Sequence, residues 1–303
     1  MYKELDGHSG NILHTKNKFD IIDCTKCQFK HIVPIPIEED LIEVYQEEYY
    51  SDEKPLYIER MKEDLEWWNL SYDDRYDSFE KLLDINRRKV LDVGSGPGFF
   101  LNRGKDRGWD TTGIEPSKQA YSYSSKELGL NIFNIFLNEN TKKNLEQFDV
   151  VHMSQVLEHI PNPKILLDIV YEKLNSKGLI CVVVPNEYNP FQNTLIESCS
   201  YDPWWVAPPH HINYFSFQSL TSLLEEVGFK ILLKETTFPM DMFLLMGKNY
   251  VGNDELGREC HIMRKQLELN LAKAGANNVK RDLYRSLAKL GIGREIILIG
   301  EKE

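Results

Sequence analysis

The chain has 303 residues, 42% apolar and 27% charged, a globular composition with material for one large or two small domains. Its net charge of −11, with Lys and Arg scattered rather than clustered, disfavours a nucleic-acid partner. No apolar run approaches the roughly 20 residues of a membrane span, and the start MYKELDGHSG has no signal-peptide stretch, so a soluble, cytoplasmic chain is expected.

Residues 1–40 read as a small β segment of short runs with polar breaks. Within it Cys24 and Cys27 form a C-x-x-C, a spacing that lets two thiolates from one turn reach one tetrahedral ion. His31 follows four residues later, and His8 and His14 lie upstream. A structural zinc held by His8, Cys24, Cys27 and His31 is expected, with His8 preferred to His14 because Gly7, Ser9 and Gly10 allow a tight turn. The plainer reading is a pair of reduced cysteines on a hairpin docked against the main domain. Gln28 stands where many zinc knuckles place glycine. Five cysteines at low density do not read as a disulfide framework, and Cys181 falls in a β-rich run as a small buried hydrophobe.

Residues 41–84 are acidic, aromatic and helical in period (Leu41, Val44, Tyr45, then Leu65, Trp68, Leu82, Leu83), and read as a helical cap. From about residue 85 to the end, strand and helix patterns alternate. KVLDV, WDTTGIE, LNIFNIF, FDVVHM, GLICVVVP, FKILLKETTF and EIILIGEK read as strands. A helix is expected at 164–174, and QSLTSLLEEVG is an amphipathic helix closed by Gly228. Such alternation predicts an α/β fold with a mostly parallel sheet covered by helices on both faces. The stretch 239–293 is too long for a loop. CHIMRKQLELNLAKAG and VKRDLYRSLAKLG make it a helical insertion before the last strand.

VLDVGSGPGFFL is the most informative segment. A strand ends at Asp92 and Val93, then Gly94, Gly96 and Gly98 come at alternate positions, then an apolar helix face. Glycines let backbone N–H groups approach a ligand, and the next helix presents its N-terminus to it. The spacing is G-x-G-x-G rather than G-x-G-x-x-G, and Asp92 would repel a pyrophosphate but suits a cationic amino-acid group. Glu115, followed by Pro116 at the tip of the second strand, stands where a carboxylate holds ribose hydroxyls.

VLDVGSGPG, GIEPS, FDVVHMSQVLEHIPNP and PHHINYFSFQSLTSLLEEVGF, in that order and spacing, resemble class I S-adenosylmethionine-dependent methyltransferases. More narrowly they resemble the small-molecule branch found with bacterial sugar and polysaccharide pathways. The resemblance covers residues 75–237 and, more loosely, the last strand. It implies a Rossmann-like seven-stranded sheet with a last antiparallel strand beside the fifth. It also implies contacts from Gly94, Gly96 and adjacent backbone to the methionine part of the cofactor, with Glu115 on the ribose. Ser154 and Gln155 fall, with Met153, in the family's cofactor-facing loop. Asn138, Glu139 or Asn140 would meet the adenine.

Methyl transfer is an in-line displacement, and a hydroxyl acceptor must also lose a proton. Histidine titrates near neutral pH and is the natural base. Glu158–His159 and Pro209–His210–His211 both fall at the sheet's C-terminal edge, which makes His159, His210 and His211 the catalytic candidates. Each could instead order its own loop, and with Val156 two residues before Glu158 a metal-binding acidic pair is missing. Trp204–Trp205 is expected to wall a pocket, while Trp67–Trp68 and Tyr49–Tyr50 fit core or pocket alike. Asn186 and Glu187 could hold acceptor polar groups. The expected activity is O-methylation of a small sugar or sugar-linked acceptor. C-methylation of a nucleotide-linked deoxysugar and a catalytically inactive partner subunit are the alternatives.

Overall fold

The computed structural model describes residues 7–37 and 56–303. Residues 41–55 of the expected cap, including Tyr49–Tyr50, lie outside them.

The N-terminal segment is a small antiparallel sheet. Strands β1 (Gly10–Lys16) and β2 (Phe19–Cys24) form a hairpin whose two turn residues, Asn17 and Lys18, both have positive φ. That two-residue turn follows the right-handed twist of its strands. Strand β3 (Lys30–Val33) adds to β2. The sheet's fourth strand, Asn213–Tyr214, comes from far along the chain, so the segment is stitched to the main domain. Ile21 and Ile32 pack there with Trp205, Val206, Ile212 and Tyr214.

Helices α1 (Tyr57–Glu63) and α2 (Leu65–Leu82) lead to the main sheet. It begins with β4 (Lys89–Val93), α3 (Phe99–Asp106), β5 (Asp110–Ile114), α4 (Lys118–Ser122), β6 (Asn131–Phe133) and β7 (Phe148–Ser154). It continues with α5 (Pro163–Lys173), β8 (Leu174–Pro185), α6 (Pro190–Cys199), β9 (the Asn213–Tyr214 strand), α7 (Phe217–Val227) and β10 (Phe229–Thr236). Then come α8 (Asp241–Leu245), α9 (Asp254–Lys273), α10 (Asn277–Lys289) and β11 (Glu295–Lys302). Seven strands lie in the order β10-β11-β8-β7-β4-β5-β6. Strands β4 to β8 run parallel, and β11 inserts antiparallel between β8 and β10. This is the Rossmann-like α/β sheet that the sequence predicts.

The strands read as continuous apolar runs because both faces are covered. Alternate residues feed two cores. Leu91, Val151, Ile180 and Leu298 meet Leu167, Val170, Leu220 and Leu224 of α5 and α7 on one face. Val90, Val150, Leu179 and Ile299 meet Tyr72, Tyr76, Phe79 and Phe100 of α2 and α3 on the other. Helix α7 starts at a Ser216–Ser219 capping box and stops at Gly228, whose φ of 112° is left-handed. Among the described residues no helix is long and apolar enough to cross a membrane.

Candidate functional site

The glycine turn joins β4 to α3. The N–H groups of Gly94 and Ser95 donate to the Ile114 carbonyl at 2.8 and 2.9 Å, tying the turn to β5. Gly94 and Gly98 have φ of 73° and 84°, where a β-carbon is strained. Space forbids one as well: a Cβ on Gly94 would meet Val156 Cγ2 at 2.6 Å, and one on Gly98 would meet Leu130 Cδ1 at 2.6 Å.

Glu115 closes the turn from across the sheet. Its Oε2 accepts from the Gly96 N–H at 2.7 Å and its Oε1 from the Ser117 N–H at 2.8 Å. Burial pushes its carboxyl up to about 7, against those two donors and helped by the nearby charge of Asp92. Two of a carboxylate's roughly four acceptor positions are used, so capacity remains for hydroxyl donors.

A cavity of about 230 Å³ opens at this end of the sheet, lined among others by Asp92, Gly94, Gly96, Glu115, Pro116, Ser154, Gln155 and His159. The structure thus brings most of the residues expected at a cofactor together. Gly98 is not in the lining; it begins α3 from behind the turn. Nor are Asn138, Glu139 and Asn140. Asn138 turns its Oδ1 to the N–H groups of Asn140 and Thr141, which braces its own loop, and Ile135, Phe136 and Leu137 supply that wall instead.

Of the three histidine candidates, only His159 lines the cavity. Its Nδ1–H donates to the His210 carbonyl at 2.6 Å, which leaves the ring lone pair on Nε2. His211 stands behind, with its ring 5.2 Å from that of His159 and its Nδ1 3.0 Å from Glu187 Oε1. Beside them the Glu158 carboxyl is buried with no hydrogen-bond partner on either oxygen among the described residues, and burial pushes it up to about 8.

Trp204 and Trp205 do not wall the cavity; they pack against the N-terminal sheet, because β9 draws their segment there. Asn186 is likewise structural, donating to the carbonyls of Gly291 and Gly293 at 2.9 and 3.0 Å. Trp68, which the sequence left open between core and pocket, is in the lining, and sequence reading missed Arg75, Tyr72 and His152 beside it. His152 and Asp92 are register partners on neighbouring strands. A histidine within the buried run of β7, beside the Asp92 of β4, was the available signal for His152.

At the other end of the chain, His8, Cys24, Cys27 and His31 converge, with one ligand atom from each within 4.8 Å of the others. His8 Nδ1 lies 3.7 Å from Cys24 Sγ and 3.3 Å from Cys27 Sγ. A tetrahedral ion with ordinary Zn–S and Zn–N bonds would set that separation at roughly 3.5 Å. His31 Nδ1–H donates to the Ile32 carbonyl at 2.9 Å, while its buried Nε2 has no partner among the described residues. The Cys27 N–H points at Cys24 Sγ from 3.4 Å, and Gln28 takes a φ of 61°, the conformation a glycine would have supplied. His14 is elsewhere, stacked on Tyr188.

Residues 61–234 match a protein family described as a methyltransferase domain. The chain is 29% identical over 108 residues to the ubiquinone biosynthesis O-methyltransferase of Glaesserella parasuis serovar 5, covering 33% of this chain and 46% of that protein. It is 33% identical over 110 residues to the protein of the same name from Psychrobacter cryohalolentis, covering 34% and 42%. These matches span less than half the length of either curated relative. Among solved structures, the plantazolicin methyltransferase BpumL, in complex with a monoazolic desmethylPZN analog and SAH, shares the fold. It covers 87% of this chain and 94% of its own at 15% identity and a TM-score of 0.54.

Proposed function

The chain belongs to this methyltransferase family, and we propose that it transfers a methyl group from S-adenosylmethionine to a hydroxyl of a small, ring-bearing acceptor. The observation that carries this reading is Glu115, a buried carboxylate facing a cavity through an open glycine turn. Glu115 would hold ribose hydroxyls, Asp92 the cationic amino group, and Gly94, Gly96, Ser154 and Gln155 the rest. When bound, the cofactor supplies a methyl group already activated by its sulfonium. The chain's own task is to orient the acceptor, exclude water and take a proton. His159 fits the last role, since its Nδ1–H is held by a carbonyl and its Nε2 carries the lone pair.

The aromatic wall of Trp68 and Tyr72 suits the flat face of a sugar or phenol ring. The resemblance in the sequence favours a sugar-linked acceptor. A phenolic acceptor is the second reading, favoured by the names of the curated relatives. Calorimetry with S-adenosylmethionine tests the shared premise. Gly96→Val should abolish binding while circular dichroism stays close to the parent; unchanged affinity would sink the assignment.

We also propose that His8, Cys24, Cys27 and His31 hold a structural zinc ion. The orphaned His31 Nε2, aligned with two thiols and a second imidazole, supports it. Two neutral histidines and two thiolates give the ion a neutral tetrahedral site with no open position, which suits a structural rather than a catalytic role. Reduced cysteines of this kind fit a cytoplasmic setting.

A further inference from the structure

A second cavity, of about 260 Å³, adjoins the first and shares Tyr57, Trp68, Arg75, Gln155 and Glu295 with it. It lies between α2, the antiparallel strands β10 and β11, and the inserted helices α9 and α10. Five cationic side chains line it, in a chain whose net charge is −11. Two of them are matched: Lys280 Nζ lies 2.6 Å from Asp74 Oδ2, and Arg281 donates to Glu235 at 2.8 Å. Arg75, Arg264 and Arg294 make no ion pair among the described residues. The remaining two carboxylates have neutral donors instead. Glu268 accepts from Trp67 Nε1 and the Tyr284 hydroxyl, and Glu295 accepts from Gln155 Nε2 at 3.3 Å.

Arg75 is the telling residue. It is 5% exposed, and among the described residues its one side-chain hydrogen bond runs to His152 Nε2 at 3.4 Å and its buried Nε has no partner. Thr237 Oγ1, in the same lining, is also buried and unpartnered. Arg264 lies 4.6 Å over the Trp67 ring and donates to His261 Nδ1 at 2.9 Å; burial and the like charge of Arg294 push its guanidinium down to about 10, against the opposing charges of Glu295 and Glu268. Three guanidinium groups thus face one cavity without a direct carboxylate partner, and the buried charge of Arg75 is the costly one, a cost that a bound oxyanion would offset. Planar guanidinium donors match carboxylate and phosphate oxygens in pairs.

We propose that Arg75, Arg264 and Arg294 hold the anionic end of the methyl acceptor, a carboxylate or a phosphate, in this second cavity. The acceptor role rests on the methyltransferase reading above; the anion site itself does not. Because Arg75, Trp68 and Gln155 border both cavities, an acceptor anchored among the arginines extends its other end into the cleft beneath Glu115 and His159. Acceptors lacking the anion would bind weakly.

Inorganic pyrophosphate and benzoate, titrated separately into the full chain by calorimetry, test the site for its two oxyanion chemistries. At least one should bind the parent, and its affinity should fall about tenfold or more in Arg75→Gln and in Arg294→Gln, as expected for losing a charge-assisted hydrogen bond. Lys230→Gln, on the outer strand β10, removes a charge outside the cavity and should bind like the parent. Arg294 is exposed and its side chain makes no hydrogen bond among the described residues, so its variant carries the test even if Arg75→Gln fails to fold. Binding of neither anion, or equal binding by the Arg294 variant and the parent, overturns the proposal. S-adenosylhomocysteine titrated into the same proteins separates the two readings. Its failure to bind while an anion still does would count against methyl transfer and leave the anion site standing.

Discussion

His152 Nδ1 lies 2.7 Å from Asp92 Oδ1, and the other nitrogen of the same ring lies 3.4 Å from an Arg75 guanidinium nitrogen. The ring is also stacked on Phe100 with centroids 3.9 Å apart. A neutral imidazole with its proton on Nδ1 satisfies both neighbours: it donates to the carboxylate and accepts from the guanidinium. Burial lowers the His152 pKa, against the pull of Asp92, and so agrees with that tautomer. The chain Asp92–His152–Arg75 therefore links the glycine-turn end of the first cavity to the second.

His152→Phe should keep the stack on Phe100 while stranding a carboxylate and a guanidinium. The expected cost is on the order of 1–3 kcal/mol, read from urea unfolding. Equal stability of variant and parent would show that the polar chain contributes nothing.

Replacing the three candidate bases one at a time separates their positions. His159→Ala should lower turnover by about 10²–10⁴ while cofactor affinity holds. His210→Ala leaves the carbonyl that orients His159 in place, so its effect should be small. His211→Ala should fall between, since it removes a ring edge against His159 and the partner of Glu187. If all three variants turn over like the parent, orientation and water exclusion supply the rate and the base is dropped.

The strands, the glycine turn and Glu115 were legible because each leaves a local mark: apolar runs of five to eight residues, alternate glycines, a carboxylate at a strand tip. The convergence of His8, Cys24, Cys27 and His31 was legible for the same reason, since Cys24 and Cys27 share one turn. The acceptor side was not. Trp204–Trp205 looked like a pocket wall until β9 paired with β3 and carried the segment to the N-terminal sheet. Arg75, Arg264 and Arg294 are spread over 219 positions, on α2, on α9 and just before β11, and only the fold brings them to one cavity. Non-local convergence leaves no spacing to read.

Elemental analysis of protein purified without added metal or a histidine tag should find close to one zinc per chain. Cys24→Ser should lose it and unfold at lower temperature, because a small sheet with few large apolar side chains depends on its cross-link. His14→Ala should retain the metal, as that ring stacks on Tyr188 away from the cluster. Metal-free protein with unchanged thermal stability would end the assignment.

Glu158 gives the fold a distinct response to alkali. Its carboxyl oxygens are buried without donors, and burial raises its pKa from the ordinary 4.5 to about 8. Between those values the native state holds a proton that the unfolded chain has released, so stability falls as pH rises, by a few kcal/mol in order of magnitude. Glu115, raised to about 7, adds to that decline only up to its own value. His152, whose pKa is lowered, acts with the opposite sign and only below the ordinary histidine value of 6.5. The buried carboxyls of Glu187 and Asp241 are raised too and act with the same sign as Glu158, so the share of Glu158 is read as the difference between the parent and a variant at that one position. Glu158→Gln puts a neutral amide of the same shape in the same place, so its urea midpoint should decline less steeply than the parent's from pH 7 to 8. Parallel curves for the two proteins would mean that Glu158 is already ionised in the native state, and the buried neutral acid would be ruled out.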